Sequence, residues 1–284
     1  MAKGVVLDCM NGEKHLNKKG NPKETHGIDF LYSYLNPLVS GQLNNVLISS
    51  KFETSKYPNS PTVKFKNFME DIITTMECYD VSNVKDETLT GFSYSTLNDV
   101  GVLFWLNNKA DSEDDLIKFV ANSRIEDTSV NKSIYIMDNK RVAFILEVMK
   151  FVKTKENDFE SSFYYPNTGQ NINPLERINV GKRLPVEYLN SSIIPIKLSN
   201  KNNSKETYLL LATFENFEEG DLMRLMGLAK DIGTELVGKV IIAFADYNEL
   251  EHKQTVTLAK QKFQSSEFTK NVSVINFLDP SSVF

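Results

Sequence analysis

Residues 27–53 read GIDFLYSYLNPLVSGQLNNVLISSKFE, and this stretch decides the fold. Residues 27–35 alternate apolar and polar side chains at period two, which predicts a strand. Asn36-Pro37 and Ser40-Gly41 supply residue types that reverse a chain. Residues 45–53 predict a second strand. Successive side chains of a strand point to opposite faces, so Ser49 and Lys51 share one face. If the two strands pair as neighbours, Asp29 joins them there. One carboxylate and one lysine then converge at the open end of a small sheet.

Outward from this hairpin, Pro58 and Pro61 punctuate a loop before a helix over about 62–79. Phe65, Phe68, Met69, Ile72, Ile73 and Met76 recur there at the spacing of an amphipathic face. A strand follows at 101–108, with Trp105 as a core residue. Asp111 to Asp115 open a helix with the acidic first turn that the helix dipole favours. A strand at 133–137 leads into a helix at 140–153. Residues 154–192 are rich in Asn, Pro, Gly and Ser and read as an extended connection. Beyond them come strands at 193–198 and 206–213, a helix at 218–234, a strand at 239–246, a helix at 249–264 and a strand at 272–277. The fold class is α/β in two units, residues 1–155 and 156–284. Residues 11–25, with Lys14, Lys18, Lys19 and Lys23 among Asn and Gly, read as a loop.

Composition narrows the function classes. The chain has 284 residues, 41% hydrophobic and 24% charged, as in an ordinary globular protein of one large or two modest domains. No apolar run reaches the roughly 20 residues needed to span a bilayer, and Met1–Val6 lacks a secretory pattern, so a cytoplasmic location is expected. Cys9 and Cys78 are far apart and in no metal-binding spacing, which predicts reduced thiols. With His15, His26 and His252 the complete set, a multi-histidine zinc site is not expected. Cys78 reads as a small buried residue with no neighbouring histidine. The net charge of −5 argues against a stand-alone nucleic-acid binder. The charge is uneven, however: residues 1–70 hold nine Lys against six acidic residues, +3, which leaves −8 for the remainder.

A carboxylate–lysine pair at a strand end suits metal-assisted phosphodiester hydrolysis. Carboxylates hold Mg²⁺ through hard oxygens, and a nearby Lys orients water or neutralises phosphate charge. Gly27-Ile28-Asp29 followed by Ile48-Ser49-Ser50-Lys51 resembles the PD-(D/E)xK nuclease superfamily. HGIDFLY, VLISSKF and KFKNFMEDIITTMECYDVS resemble members from bacterial anti-phage defence systems, over roughly residues 20–150. The resemblance implies a mixed sheet flanked by helices, a metal ligand at Asp29 and an action of Lys51 on the attacking water. It also exposes a departure, because Ser49 stands where the superfamily carries Glu or Asp. Some members with Ser there draw a carboxylate from the following helix. Glu70, Asp71 and Glu77 are offered here; Glu70 is preferred for its length, Asp71 lies on the other flank, and Glu24 and Glu53 rank lower. Lys64, Lys66 and His26 are candidates to contact nucleic acid.

The leading expectation is thus a Mg²⁺-dependent DNA endonuclease subunit of a defence complex. The rival keeps the fold, loses metal binding and serves recognition or assembly; a third reading is a regulatory α/β protein without nucleic acid. The second half carries no comparable signal: Asp246-Tyr247-Asn248 reads as a turn, and FENFEEGD (214–221) as an acidic helix start. The acidic balance predicts weak DNA binding by the chain alone, and hence a second subunit or self-association.

Overall fold

The computed structural model describes residues 1–17, 19–109, 115–125, 132–171, 173, 177–203, 205–233, 238–263 and 265–282. Two compact units emerge: Met1–Asn36 with Gly41–Ala143, and Pro37–Ser40 with Phe144–Phe284.

The first unit is a five-stranded mixed sheet in the order β1-β2-β3-β4-β5. Its strands are β1 (Ala2–Asp8), β2 (Thr25–Leu35), β3 (Gln42–Glu53), β4 (Thr96–Asn107) and β5 (Ile134–Met137). β1, β2 and β3 are mutually antiparallel neighbours; β3, β4 and β5 run parallel. Parallel neighbours need a long crossover, and the chain supplies it between β3 and β4 as α1 (Thr62–Asp80) and α2 (Asn83–Leu89). The predicted periodicity of α1 is realised: Phe65, Met69, Ile72, Ile73 and Met76 are all buried. Each such side chain contributes about 1.5–3 kcal/mol when fully removed from water. They pack on the sheet face that carries Leu47, Leu103 and Trp105. The approach is close because Gly101 lies beneath the helix: a Cβ there would sit 2.9 Å from Met76 Sδ and 3.0 Å from Ile72 Cδ1. α3 (Leu116–Val120) begins after Asp115, whose side chain accepts the Lys118 N–H. The rest of the expected acidic turn, residues 111–114, lies outside the described residues, as does Lys18.

The second unit is a six-stranded sheet in the order β11-β10-β9-β8-β6-β7. It comprises β6 (Phe159–Tyr164), β7 (Val180–Gly181), β8 (Ile193–Asn200), β9 (Thr207–Thr213), β10 (Lys239–Phe244) and β11 (Val272–Asn276). β9, β10 and β11 are parallel and linked through α5 (Glu219–Ile232), α6 (Glu249–Lys262) and the short α7 (Ser266–Thr269). Both sheet faces are covered. Tyr208, Leu210, Ala212, Ile241 and Ala243 pack with Phe144, Val148 and Phe151 of α4 (Asn139–Thr154). Leu209, Leu211, Ile242 and Phe244 pack with Leu222, Leu225 and Met226 of α5. This explains the unbroken apolar runs of β9 and β10, which have no solvent face to alternate toward.

The structure corrects one reading and adds two elements. Residues 154–192 are not merely a connection, since Phe159–Tyr164 pairs with β8 inside the sheet. The N-terminal segment Ala2–Asp8 is a strand, and Asn83–Leu89 is a helix capped by Ser82.

Candidate active site

The ladder between β2 and β3 ends at the pair Phe30↔Ile48. Beyond it the β3 amides have no strand partner on that side, and Asp29 fills the first gap. Its Oδ2 accepts the Ser50 N–H at 2.5 Å, and the residue is otherwise exposed. Ile28 and Leu31, three positions apart, both enter the core beneath α1. The alternation therefore slips by one at Asp29–Phe30, opposite Gly4, whose φ of +61° a side chain rarely adopts. Asp29 lies inside β2, at the point where its ladder with β3 stops.

On β3, alternation carries Leu47, Ser49, Lys51 and Glu53 toward α1. Leu47 joins the core and Ser49 is buried. Lys51 Nζ bonds Asp71 Oδ2 at 2.8 Å, and Lys23 Nζ bonds the other oxygen, Oδ1, at 3.0 Å. Asp71 is thus a bridge between two ammonium groups. Burial disfavours its charge, but the hydrogen bonds from Lys51 and Lys23 outweigh that and hold its carboxyl below the usual carboxylate range. Phe68 lies under Lys51, with Nζ 5.7 Å from the ring centre. One step further along, Glu53 accepts the Trp105 indole N–H on Oε1 at 2.5 Å and Lys64 on Oε2 at 2.6 Å.

The structure therefore brings Asp29, Ser49, Lys51 and Asp71 to one sheet end. The helix carboxylate that meets Lys51 is Asp71; Glu70, the next residue round the helix, is exposed. Glu77 is engaged elsewhere, on His15. Lys64 is half-buried on Glu53, and Lys66 is half-buried. Lys23 was not singled out from sequence, because nothing local distinguishes it from the other lysines of its loop. Asp29 and Asp71 are carboxylates, the donor class that hard divalent ions take, and Asp29 is open to solvent. Asp71 would release an ammonium to bind one.

His26 is not at this site's surface. It is buried, and burial, with the neighbouring Lys23 and His15, pushes its pKa down to about 4. A second cluster surrounds it: the thiols are free and Cys78 is buried, as expected, but the reading that no histidine neighbours Cys78 and that the cysteines lie far apart is overturned. Cys9, His15, His26 and Cys78 place one ligand atom each within 4.8 Å of all the others. The two thiols are free, 4.0 Å apart, and Cys78 has His15 Nδ1 at 3.4 Å. The sequence hid this because the four residues come from a loop, a strand and a helix.

Residues 1–141 match the family model described as the GAPS4 protein PD-(D/E)XK nuclease domain. No curated protein and no solved structure matches the chain. Among the described residues no helix is long and apolar enough to cross a membrane.

Proposed function

With its N-terminal unit a member of the GAPS4 PD-(D/E)XK nuclease family of bacterial anti-phage defence, this chain, we propose, cleaves DNA phosphodiesters with Mg²⁺ in the cytoplasm as one subunit of a defence complex. The supporting observation is the placement of Lys51 and Asp71 in contact at 2.8 Å, one residue along β3 from the amide that fixes Asp29. Asp29 and Asp71 would hold the ion, which when bound supplies charge neutralisation at the phosphate and lowers the pKa of water. Ser49 offers only a neutral hydroxyl, so the helix carboxylate replaces the strand one. Lys51 donates from the strand end to a phosphate oxygen or to the attacking water. Lys23, on the far oxygen of Asp71, fixes that carboxylate's direction. Glu70, exposed beside Asp71, is a further acidic group for a second ligand position. Lys64 and Lys66 supply positive charge along the helix for the phosphate backbone. The −8 balance outside residues 1–70 weakens DNA binding by the chain alone, so a partner or a second copy completes the groove.

The test is plasmid nicking at near-physiological salt with Mg²⁺, for the chain alone and with the protein that co-purifies with it. Asp29→Asn and Lys51→Ala should both abolish nicking and stay folded, with Mg²⁺ affinity reduced more by Asp29→Asn. Binding without cutting by the wild-type complex would favour a recognition role for the same fold. An active Asp29→Asn variant would remove this site.

A further inference from the structure

Independently of the nuclease reading, we propose that Cys9, His15, His26 and Cys78 bind a structural zinc ion that pins the β1–β2 connection to α1.

The spacing of the donor atoms carries the argument. Cys9 Sγ and Cys78 Sγ each lie 3.4 Å from His15 Nδ1, His15 Nδ1 lies 3.2 Å from His26 Nε2, and the sulfurs are 4.0 Å apart. Tetrahedral zinc, with Zn–S about 2.3 Å and Zn–N about 2.05 Å, sets S–N near 3.6 Å, N–N near 3.3 Å and S–S near 3.8 Å. These four separations agree with that geometry to within a few tenths of an ångström, and every pair of the four ligand atoms lies within 4.8 Å. A disulfide would need the sulfurs at about 2.05 Å.

The surroundings match as well. His15 Nε2 faces Glu77 Oε2 at 2.7 Å. His26 Nδ1 faces Thr75 Oγ1 at 3.4 Å, and that hydroxyl donates onward to the Asp71 carbonyl at 2.7 Å. With His15 protonated on Nε2 and His26 on Nδ1, both rings would direct their N–H outward, to these acceptors. In those tautomers His15 Nδ1 and His26 Nε2 face each other as two lone pairs at 3.2 Å. A cation between them removes that conflict. The carboxylate behind one ligand histidine is the usual way a zinc protein fixes ring orientation. Cys78 Sγ also receives the Met10 N–H at 3.4 Å, an amide contact suited to a thiolate. Cys78, His15 and His26 are buried and Cys9 is half-buried, and four protein donors fill a tetrahedral shell, as in sites that hold structure and not substrate. Thiolate and imidazole donors without a carboxylate select zinc over Mg²⁺ or Ca²⁺.

Zinc there would tie the loop after β1 to β2 and α1 at one point. The same loop delivers Lys23 to Asp71, so the ion would steady one of the two ammonium contacts of the strand-end site.

Metal analysis of the full chain, grown and purified with zinc supplied, tests this. The expected content is about one zinc per chain, and cobalt exchange should give the thiolate charge-transfer and strong d–d bands of a tetrahedral ion. Asp29→Asn should keep the zinc, which separates this site from the strand end. A Cys9→Ser, Cys78→Ser double variant should lose it. Should that variant not fold, Glu77→Gln leaves all four ligands in place and should weaken zinc binding roughly 10- to 100-fold. A folded wild-type chain that takes up neither zinc nor cobalt, or carries a Cys9–Cys78 disulfide, would overturn the proposal. So would a folded double variant that retains its zinc, or a Glu77→Gln variant with wild-type affinity.

Discussion

Asp71→Asn is the perturbation that separates the structural from the chemical role of the strand-end site. Asn keeps the shape and the helix but removes the charge that Lys51 and Lys23 share. The Asp71 side chain is 43% exposed, and those of Lys23 and Lys51 are 21% and 27% exposed, so solvent screens both pairs. Pairs of this kind contribute ~0.2–1 kcal/mol each, and the variant should lose about 1 kcal/mol of stability. For a chain of this size that lowers Tm by roughly 2–4 °C. Cleavage should fall far more. Asp71 orients Lys51 and is itself a proposed ligand, and loss of one preorganised charge at a reacting phosphate costs on the order of 10²–10³ in rate. The assay pairs thermal unfolding with Mg²⁺-dependent plasmid nicking on the same preparation. Lys51→Met combined with Asp71→Asn should cost little more than either alone, since both break one unit. A folded Asp71→Asn protein that nicks at the wild-type rate refutes the reasoning. Additive losses in the double variant would show that Lys51 and Asp71 act separately.

Other outcomes follow from single contacts. Trp105 is the chain's one tryptophan and donates its indole N–H to Glu53; Glu53→Leu should strand that buried donor, cost about 1–3 kcal/mol and shift the emission, whereas Glu53→Gln should restore most of both. Gly101→Ala forces a Cβ against Met76, Ile72 and Ile134 at 2.9–3.1 Å and should destabilise by about 1–3 kcal/mol in urea melts with an unchanged m-value; an equally stable variant would mean that α1 can lift from the sheet at no cost. Asp80 is opposed by burial, yet hydrogen bonds from Lys132 and Lys85 hold its carboxyl below the ordinary range. A lowered folded pKa gives stability that is present above the unfolded value and lost as pH falls through the folded one. The stability gap between wild type and Asp80→Asn should therefore narrow in acid, and a gap independent of pH would contradict the ion pairing.

How much was legible follows the range of the interactions involved. β2, β3 and α1 were readable because alternation and the 3.6-residue period are written into neighbouring residues, and burying one face of each needs no distant information. Asp29 and Lys51, on which the family resemblance was read, lie on those same elements. β1 was not readable, since its residues are largely exposed at a sheet edge and show no alternation to detect. β6 sits in a polar stretch and is a strand because β8 accepts it, which is a tertiary fact.

By itself, then, the sequence determined that Asp29, Ser49 and Lys51 lie on adjacent strands and that an amphipathic helix follows them, because backbone geometry converts residue spacing directly into facing. Only the tertiary structure decided that Asp71 meets Lys51, that Lys23 reaches the same carboxylate from a loop, and that Cys9, His15, His26 and Cys78 converge. Those meetings depend on how α1 seats over Gly101 and on the path of the loop after β1. Both are set by packing between segments far apart in the chain, where no spacing rule operates.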